Sequence, residues 1–260
     1  MEPAAFASDL AVKAGELLLK LRQDTFTVES KGGNPRDIVT SIDREVNEYI
    51  IGAIKQSFPG QRIFSEEGGD VAEGGDEEWV VDPIDGSSNF SRGIPHYAVC
   101  IGLLQKGVPT AGAVYNPATR ELFSFAKGKG TFLNGAPVHV SNVSELKNAQ
   151  VVCSPGSRKP ELWDWAATSY RKLLEHTLKR GMYGSSALDI CFIAAGRADA
   201  GVYGTLNTKD IAGALGVLYE AGGAACNVSG QPVTLSSESQ KVFMGNSPAM
   251  AERMRVLLES

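Results

Sequence analysis

Two aspartates three positions apart follow an apolar run in residues 79–90, which read WVVDPIDGSSNF. The run predicts a buried strand that ends at Asp82 and Asp85. Proline fixes the backbone between the two acids, and the Gly-Ser-Ser turn that follows could begin a helix. Carboxylates with a backbone carbonyl between them are hard oxygen ligands for Mg²⁺, and free N–H groups at a helix start bind phosphate. Together these features indicate metal-assisted phosphate chemistry.

Taken alone, the segment is also compatible with a simple turn, because Asp, Pro and Gly all favour turns. A calcium-binding EF-hand loop does not fit, since the D-x-D-x-D-G spacing is absent and Gly93 stands where the bidentate glutamate belongs. Three further acidic segments favour the functional interpretation, and they contain Asp43, Glu66 and Asp210.

In chain order, the segments D-x-V-T-x-x-D, E-E-G, D-P-I-D-G-S-x-N-F and D-x-A-G-A…E-A-G-G resemble the inositol monophosphatase family. This family belongs to the lithium-sensitive, Mg²⁺-dependent phosphomonoesterases, and the resemblance runs from about residue 37 to residue 223. It implies an α/β (α+β layered) fold, an αβαβα sandwich of helices and sheets. The chain would form one domain with an N-terminal lobe of about residues 1–145 and a C-terminal lobe of about residues 146–260, and the site would lie where the lobes meet.

The resemblance also implies oxygen ligands for two or three Mg²⁺ ions, with one aspartate bridging two of them. The implied ligands are Glu66, Asp82, the backbone carbonyl of Ile84, Asp85 and Asp210, with the Ser87 hydroxyl as a further ligand. Four such carboxylates carry about −4, and each like-charge pair near 4 Å costs roughly 4 kcal/mol at an effective dielectric of 20. Two divalent cations would cancel this charge, so we expect a cage that is strained and loosely ordered without metal.

The catalytic residues that the resemblance implies are Asp43 and Ser87, which would orient and deprotonate the attacking water, together with Glu66. Serine at position 87 replaces the threonine that is commonest in the family, so the hydroxyl lacks its β-methyl anchor and we expect a modest effect on rate. Without the motif, Asp43 could equally be a capping acid at a helix start. Asp37 is expected to play a supporting role, and Glu67 could form an outward salt bridge.

Phosphate is expected to bind the backbone N–H groups of Gly86 and Ser87. A second turn matches the family loop that contacts the alcohol part of the substrate. Its residues Gly184, Ser185 and Ser186 are the expected substrate-binding groups.

Two positions depart from the family pattern beside the leaving-group pocket. Many inositol-directed members carry an acid where this chain has Tyr203, which we also assign to the substrate pocket, and tryptophan is usual where it has Lys209. Lys209 could pair with a second phosphate or carboxylate of the substrate, or could simply be solvated. The remaining basic candidates are expected to be ordinary surface, turn or structural residues: His96, His139, His176 and Arg197.

The favoured function is Mg²⁺-dependent hydrolysis of a small phosphate monoester, inositol-1-phosphate or a related sugar or polyol phosphate, by metal-activated water. Histidinol-phosphate, a nucleoside 3′,5′-bisphosphate and fructose-1,6-bisphosphate are alternative substrates. A non-catalytic scaffold of the same fold is disfavoured, because every expected ligand position is still acidic.

Bulk composition narrows the class of protein. The net charge of −5 argues against a protein that coats a nucleic-acid polymer, and neither an apolar run of 18 residues nor a secretory signal pattern is found. Four widely spaced cysteines in apolar surroundings predict buried free thiols and a cytoplasmic protein. Family members are commonly dimeric, so a homodimer is expected.

Hydrophobic periodicity places these motifs on elements of secondary structure. Helices are predicted at about residues 3–22, 43–58, 160–178, 186–196, 210–221 and 247–259. Strands are predicted at 79–82, 97–104, 110–115, 120–126, 151–153, 199–203 and 241–245, with a hairpin at 128–135. The Gly- and acid-rich residues 68–78 are predicted to form a mobile loop between ligand segments.

Overall fold

The computed structural model describes residues 2–30, 38–72, 75–154 and 159–260. Its helices within these ranges are α1 Pro3–Leu21, α2 Ser41–Ser57, α3 Ser87–Arg92, α4 Trp163–His176, α5 Ser186–Ala194, α6 Ala212–Glu220 and α7 Pro248–Glu259. α1 and α2 form because apolar residues recur on one face of each, and that face is buried at Leu10, Leu18, Ile50 and Ile54. All the predicted helices are present, and α3 begins at the Gly-Ser-Ser turn.

The first half of the chain forms a short two-stranded sheet and a large mixed sheet. The strands of the small antiparallel sheet are β1 Val28–Ser30 and β2 Ile38–Thr40. Those of the large sheet are β3 Arg62–Ser65, β4 Gly69–Ala72, β5 Glu77–Asp85, β6 Ala98–Gln105, β7 Val108–Asn116, β8 Glu121–Ala126, β9 Gly130–Leu133 and β10 Ala136–Val138. Among the described residues, their order across the sheet is β10-β9-β8-β7-β6-β5-β3-β4, and β3 runs parallel to β5. The carboxyl ends of β3 and β5 therefore meet at one edge.

The prediction of a loop over residues 68–78 is wrong in part. β4 pairs antiparallel with β3, and Glu77 already belongs to β5. Backbone hydrogen bonds to β3 hold this edge strand, and these do not depend on the side-chain pattern that the sequence offers. Residues 73–74 lie outside the described residues.

The second half forms the second sheet. Its strands are β11 Gln150–Ser154, β12 Lys179–Gly181, β13 Ala200–Leu206, β14 Ala224–Cys226 and β15 Gln240–Gly245, in the order β12-β11-β13-β15-β14. β11 is parallel to both β12 and β13, whereas β15 is antiparallel to its neighbours. The three-residue strands β12 and β14 carry no periodic signal and were not predicted.

Helices and sheets alternate in layers. α1 and α2 pack on the outer face of the large sheet, α5 and α6 lie between the two sheets, and α4 and α7 cover the far face of the second sheet. This is the predicted αβαβα sandwich. The large sheet ends at Val138 and the second begins at Gln150, close to the predicted boundary. The division into two lobes stays a prediction.

A glycine pair sets how closely α6 approaches the large sheet. A Cβ atom on Gly102 of β6 would lie 2.8 Å from the backbone nitrogen of Gly213, and one on Gly213 would lie 2.7 Å from the carbonyl oxygen of Ile101. Side chains at these positions would push the helix away from the strand. Asp210, just before α6, is thereby brought towards the acids at the end of β5.

All four cysteines are free and buried, as predicted. Among the described residues, we find no helix with the length and apolar character that crossing a bilayer requires.

Candidate active site

A cavity of about 310 Å³ lies at the edge where the carboxyl ends of β3 and β5 meet. Its acidic lining residues are Glu66, Asp82, Asp85, Asp189 and Asp210, which come from widely separated parts of the chain. No lysine, arginine or histidine is found among the described residues that line it.

An irregularity in β5 turns both of its aspartates to the same side. Along a regular strand, residues three apart point to opposite faces of the sheet. In the ladder with β6, however, Asp82 pairs with Cys100 and Asp85 pairs with Ala98, so β5 contains one extra residue between them. Pro83 cannot donate a ladder hydrogen bond, which explains why the irregularity falls here. Both carboxylates consequently face the cavity.

Asp82 is the most strongly perturbed acid at the site. Burial raises its pKa well above the ordinary value, and the charges of Glu66, Asp85 and Asp210 raise it further. The parallel pairing brings Glu66 close, since its backbone N–H donates to the carbonyl of Val81 at 3.0 Å. The structure thus brings together the four acids that the sequence predicted as ligands.

Asp85 is bound to the start of α5. Its carboxylate accepts hydrogen bonds from the Ser186 hydroxyl at 2.8 Å, from the Ala187 N–H at 2.8 Å and from the Ser185 hydroxyl. Burial raises the pKa of Asp85, while these hydrogen bonds oppose that rise. Ser185 and Ser186 line the cavity as predicted, but their hydroxyls donate to this carboxylate, which is not the substrate contact we expected of them.

This arrangement fits divalent cations in its chemistry. The donors are carboxylates and a backbone carbonyl, which are the oxygen ligands that Mg²⁺ prefers. Within the described parts of the chain, no three acidic, histidine or cysteine side chains are already arranged as a metal would hold them. The expectation that the acids are strained and loosely ordered without metal stays a prediction.

Asp43 caps a helix and also contacts the Ser87 hydroxyl. It is the third residue of α2, and its Oδ2 accepts a hydrogen bond from the Thr40 N–H at 2.8 Å, while its own N–H donates to the Thr40 hydroxyl oxygen at 3.2 Å, which forms a capping box. The Thr40 hydroxyl also donates to Oδ2. Its Oδ1 lies 2.9 Å from the Ser87 hydroxyl, which also lies 2.9 Å from the carbonyl oxygen of Ile84. Burial raises the pKa of Asp43; the hydrogen bonds from Thr40 and Ser87 lower it, and the nearby charge of Glu66 raises it again.

Gly86 connects the end of β5 to α3 in a conformation with φ +95°, which disfavours any residue with a side chain. A Cβ atom here would lie 3.1 Å from the carbonyl oxygens of both Gly184 and His96. Gly86, Ser87 and Gly184 all line the cavity, as the sequence predicted. The backbone N–H groups of Gly86 and Ser87 stay the predicted phosphate ligands.

The sequence did not predict a hydrogen-bonded group formed by His96 and the lining residues Asp189 and Tyr203. The Tyr203 hydroxyl donates to Asp189 Oδ2 at 2.6 Å, and His96 Nε2 lies 3.1 Å from Asp189 Oδ1. Burial raises the pKa of Asp189, whereas its bonds to His96 and Tyr203 lower it. The prediction that His96 is an ordinary surface or turn residue is therefore wrong, and the hydroxyl of Tyr203 is directed at Asp189. An acid inside the apolar run ALDICF of α5 was the available signal.

Lys209 fits neither of its two predicted roles. It is absent from the described cavity lining, and its side chain is only 16% exposed. Its Nζ lies 3.0 Å from Glu78 Oε1 and 3.9 Å from the ring centroid of Phe64. Packing against the large sheet therefore removes it from both the solvent and the cavity.

The remaining sequence candidates lie away from the acids of the cavity or outside the described residues. Arg197 pairs with Glu121 at 2.6 Å and lies 5.4 Å from the ring centroid of Phe192, which agrees with a structural role. Asp37 lies outside the described residues. Neutral polar lining residues that the sequence did not single out are Ser88, Ser154, Thr205, Asn207 and Ser239.

Comparisons with known proteins agree with the fold. The model of the inositol monophosphatase family matches residues 2–259. An inositol monophosphatase of Mesembryanthemum crystallinum is 38% identical, over 87% of this chain and 86% of that protein. A fructose-1,6-bisphosphatase/inositol-1-monophosphatase of Thermotoga maritima is 34% identical, over 92% of this chain and 90% of that protein. The crystal structure of the extragenic suppressor protein SuhB of Bartonella henselae has a TM-score of 0.90 at 27% identity and covers 98% of both chains.

Proposed function

Because the chain belongs to the inositol monophosphatase family and is a phosphoric monoester hydrolase, we propose that it hydrolyses a small sugar or polyol phosphate, such as inositol-1-phosphate, with Mg²⁺ as cofactor. The family is generally metal-dependent. The observation that carries the proposal is the acidic cavity, which has no basic residue in its described lining and lies beside the pair of Asp43 and Ser87.

The residues that would hold two or three Mg²⁺ ions are Glu66, Asp82, the carbonyl of Ile84, Asp85 and Asp210. When bound, such ions neutralise the phosphoryl oxygens and make a neighbouring water molecule more acidic. The burial of Asp82 supports this assignment, because a buried carboxylate surrounded by like charges is stable only when cations or protons compensate it.

The protein's own groups would orient the reactants. With Asp43 Oδ1 accepting the hydroxyl proton of Ser87, the Ser87 oxygen keeps lone pairs that can accept a hydrogen bond from the attacking water. The raised pKa of Asp43 makes its carboxylate a better proton acceptor than an exposed aspartate, and Glu66 is a second acceptor on the cavity wall. The N–H groups of Gly86 and Ser87 would hold the phosphate.

The neutral polar residues of the lining suit a polyol. They offer the hydroxyls of Ser154, Thr205 and Ser239 and the amide of Asn207, which can hydrogen-bond to sugar hydroxyls. In the sequence, Lys209 was the candidate to bind a second phosphate group of the substrate. In the structure it is paired with Glu78 instead. This pairing favours a monophosphate over a bisphosphate.

Fructose-1,6-bisphosphate is kept as a second candidate, because the Thermotoga maritima relative carries a bisphosphatase name and covers most of this chain. A phosphate-release assay over sugar, polyol, nucleotide and amino-alcohol phosphates, with and without Mg²⁺, separates the candidates by kcat/KM. We expect Mg²⁺-dependent release that is fastest with a sugar or polyol monophosphate. Release that is fastest with a bisphosphate would refute the substrate class, and no release from any ester would refute the function.

We also propose that the protein is cytoplasmic and homodimeric. Four buried free thiols suit a reducing compartment. Around the edge strand β12, the apolar side chains Leu174, Leu178 and Met182 are 49%, 61% and 57% exposed, which is typical of a surface covered by a partner. Sedimentation equilibrium would test the assembly, with Leu178→Lys expected to shift the protein to monomer.

A further inference from the structure

The residue that precedes Asp210 points away from the cavity and reaches the large sheet. Lys209 Nζ lies 3.0 Å from Glu78 Oε1 and 3.9 Å from the ring centroid of Phe64. The side chains of Lys209 and Glu78 are 16% and 14% exposed, so this contact is largely shielded from water. A shielded ion pair over an aromatic ring is better defined than an exposed surface pair.

Both partners of Lys209 lie on strands that lead to acids of the cavity. Glu78 is at the start of β5, four residues before Asp82, and Phe64 is on β3, two residues before Glu66. β3 and β5 are paired in parallel, with Phe64 opposite Val80. One ammonium group therefore contacts both of the strands that lead to these acids.

The backbone on either side of Lys209 is also held. Its N–H donates to the carbonyl of Ser236 at 3.1 Å, and the neighbouring Thr208 hydroxyl donates to the carbonyl of Thr234 at 3.0 Å. Ser236 in turn donates its N–H to the Thr208 hydroxyl at 3.0 Å. The segment is thus tied to residues 234–236 on one side and to the large sheet on the other. Asp210 follows directly from this fixed point.

We propose that Lys209 is a positioning residue that holds Asp210 in register with Glu66 and Asp82, so that the acids are set for cation binding. This inference depends on the proposed metal site. The effect is geometric, because Arg62 lies 3.3 Å from Glu78 and Asp70 lies 3.9 Å from Lys209, which leaves the group without net charge. Lys209 therefore does not act as a counter-charge for the cavity.

The test measures Mg²⁺ binding to the whole protein by calorimetry, without substrate. Lys209→Met keeps the apolar stem and removes the ammonium group. We expect the dissociation constant for Mg²⁺ to rise on the order of tenfold, as is typical when a group that orients a metal ligand is lost. At saturating Mg²⁺, kcat should stay close to that of the unmodified protein, because the reacting groups are unchanged.

The chain offers a matched control far from the cavity. Lys241 Nζ lies 3.0 Å from Glu259 Oε1 and 4.2 Å from the ring centroid of Trp165, which is the same combination of ion pair and aromatic ring. Lys241→Met should alter thermal stability to a similar degree without changing Mg²⁺ affinity. Equal weakening by both variants would overturn the proposal, since it would show a general loss of stability.

A second variant keeps the test decisive if Lys209→Met does not fold. Glu78→Gln removes the carboxylate partner and should weaken Mg²⁺ binding in the same direction. If both single variants fold, the loss in the double variant should be less than the sum of the two single losses. If the unmodified protein binds Mg²⁺ and Glu78→Gln binds it equally well, the positioning role of Lys209 is refuted while the proposed metal site stands. Absence of Mg²⁺ binding by the unmodified protein would overturn the metal site and this inference together.

Discussion

Replacing Asp82 by asparagine should make the metal-free protein more stable. The substitution removes a buried charge, while the asparagine oxygen can still accept the hydrogen bond that Ile84 N–H donates to Asp82 Oδ1 at 3.0 Å. Treated as a sphere, the cavity of about 310 Å³ is about 8 Å across, and like charges that far apart repel by about 2 kcal/mol at an effective dielectric of 20. Three acids act on Asp82, so the repulsions sum to about 6 kcal/mol. Protonation of Asp82 limits the cost at pH 7 to about 4 kcal/mol, because each pH unit above the unfolded pKa of about 3.9 costs about 1.4 kcal/mol. We therefore expect a gain of about 2–4 kcal/mol in the free energy of unfolding.

Thermal unfolding in a chelator measures this gain, which corresponds to a rise in Tm of roughly 5–15 °C for a chain of this size. The folded-state pKa of Asp82 is raised above its unfolded value, so the protonated acid stabilises the fold fully below the unfolded pKa. That stabilisation is lost as the pH rises through the folded pKa. The advantage of the asparagine variant should therefore be small near pH 4 and grow towards neutral pH. Mg²⁺ should reverse the order, since it stabilises only the protein that binds it, by about 4.1 kcal/mol at 1,000 times the dissociation constant.

Asp85→Asn is the matched control, because it removes a charge from the same strand with the opposite expected sign. The carboxylate of Asp85 accepts hydrogen bonds from Ser185, Ser186 and Ala187. An asparagine amide would direct a donor at these donors, so we expect a loss of about 1–3 kcal/mol even without metal. A metal-free Asp82→Asn variant that is less stable than the unmodified protein would refute the reasoning. Equal stabilisation of that variant and the unmodified protein by Mg²⁺ would refute it too.

The remaining predictions concern the reacting groups and the lining of the cavity. Ser87→Ala should lower kcat by about 10²–10⁴-fold, because the partner of Asp43 is lost, whereas Ser87→Thr should retain or slightly raise kcat; equal loss in both would contradict the role of the hydroxyl. Gly86→Ala should cost about 1–3 kcal/mol in urea unfolding, since its φ of +95° disfavours a side chain, and an unchanged midpoint would argue against this. Tyr203→Phe removes the hydroxyl that donates to Asp189, so in steady-state kinetics the KM for a polyol phosphate should rise by a larger factor than kcat falls. An unchanged KM would show that Tyr203 does not contribute to substrate binding.

Local patterns were sufficient for the centre of the site. The apolar run before Asp82, the proline and the glycine turn all lie within a dozen residues, so their conformations are largely set by neighbours in sequence. The local pattern predicted the strand and the helix that follows, whereas Glu66 and Asp210 came from the family resemblance. The structure lines one cavity with all four acids, and their role as ligands stays a prediction. The bulge that turns both aspartates inward was not predicted, since it depends on register with β6.

Contacts between distant segments were beyond the reach of the sequence. His96 and Asp189 are 93 positions apart, and Lys209 and Glu78 are 131 positions apart. Asp189 stands out as an acid inside an apolar run, but nothing near it in sequence identifies His96 as its partner. Likewise, the sequence gives no reason to pair Lys209 with Glu78. Packing of α5 and α6 between the sheets brings the pairs together.

The acids of the site contribute to the fold in two different ways. Asp85 joins β5 to α5 through hydrogen bonds that form without any cation, whereas Asp82 is surrounded by like charges that only protons or cations can offset. Contacts of the first kind tie β5 to α5. In the proposed metal site, cations would offset the repulsion around Asp82, so cation binding and tightening of the cavity would be one coupled equilibrium. Under its proposed positioning role, Lys209 would shift this equilibrium from outside the cavity.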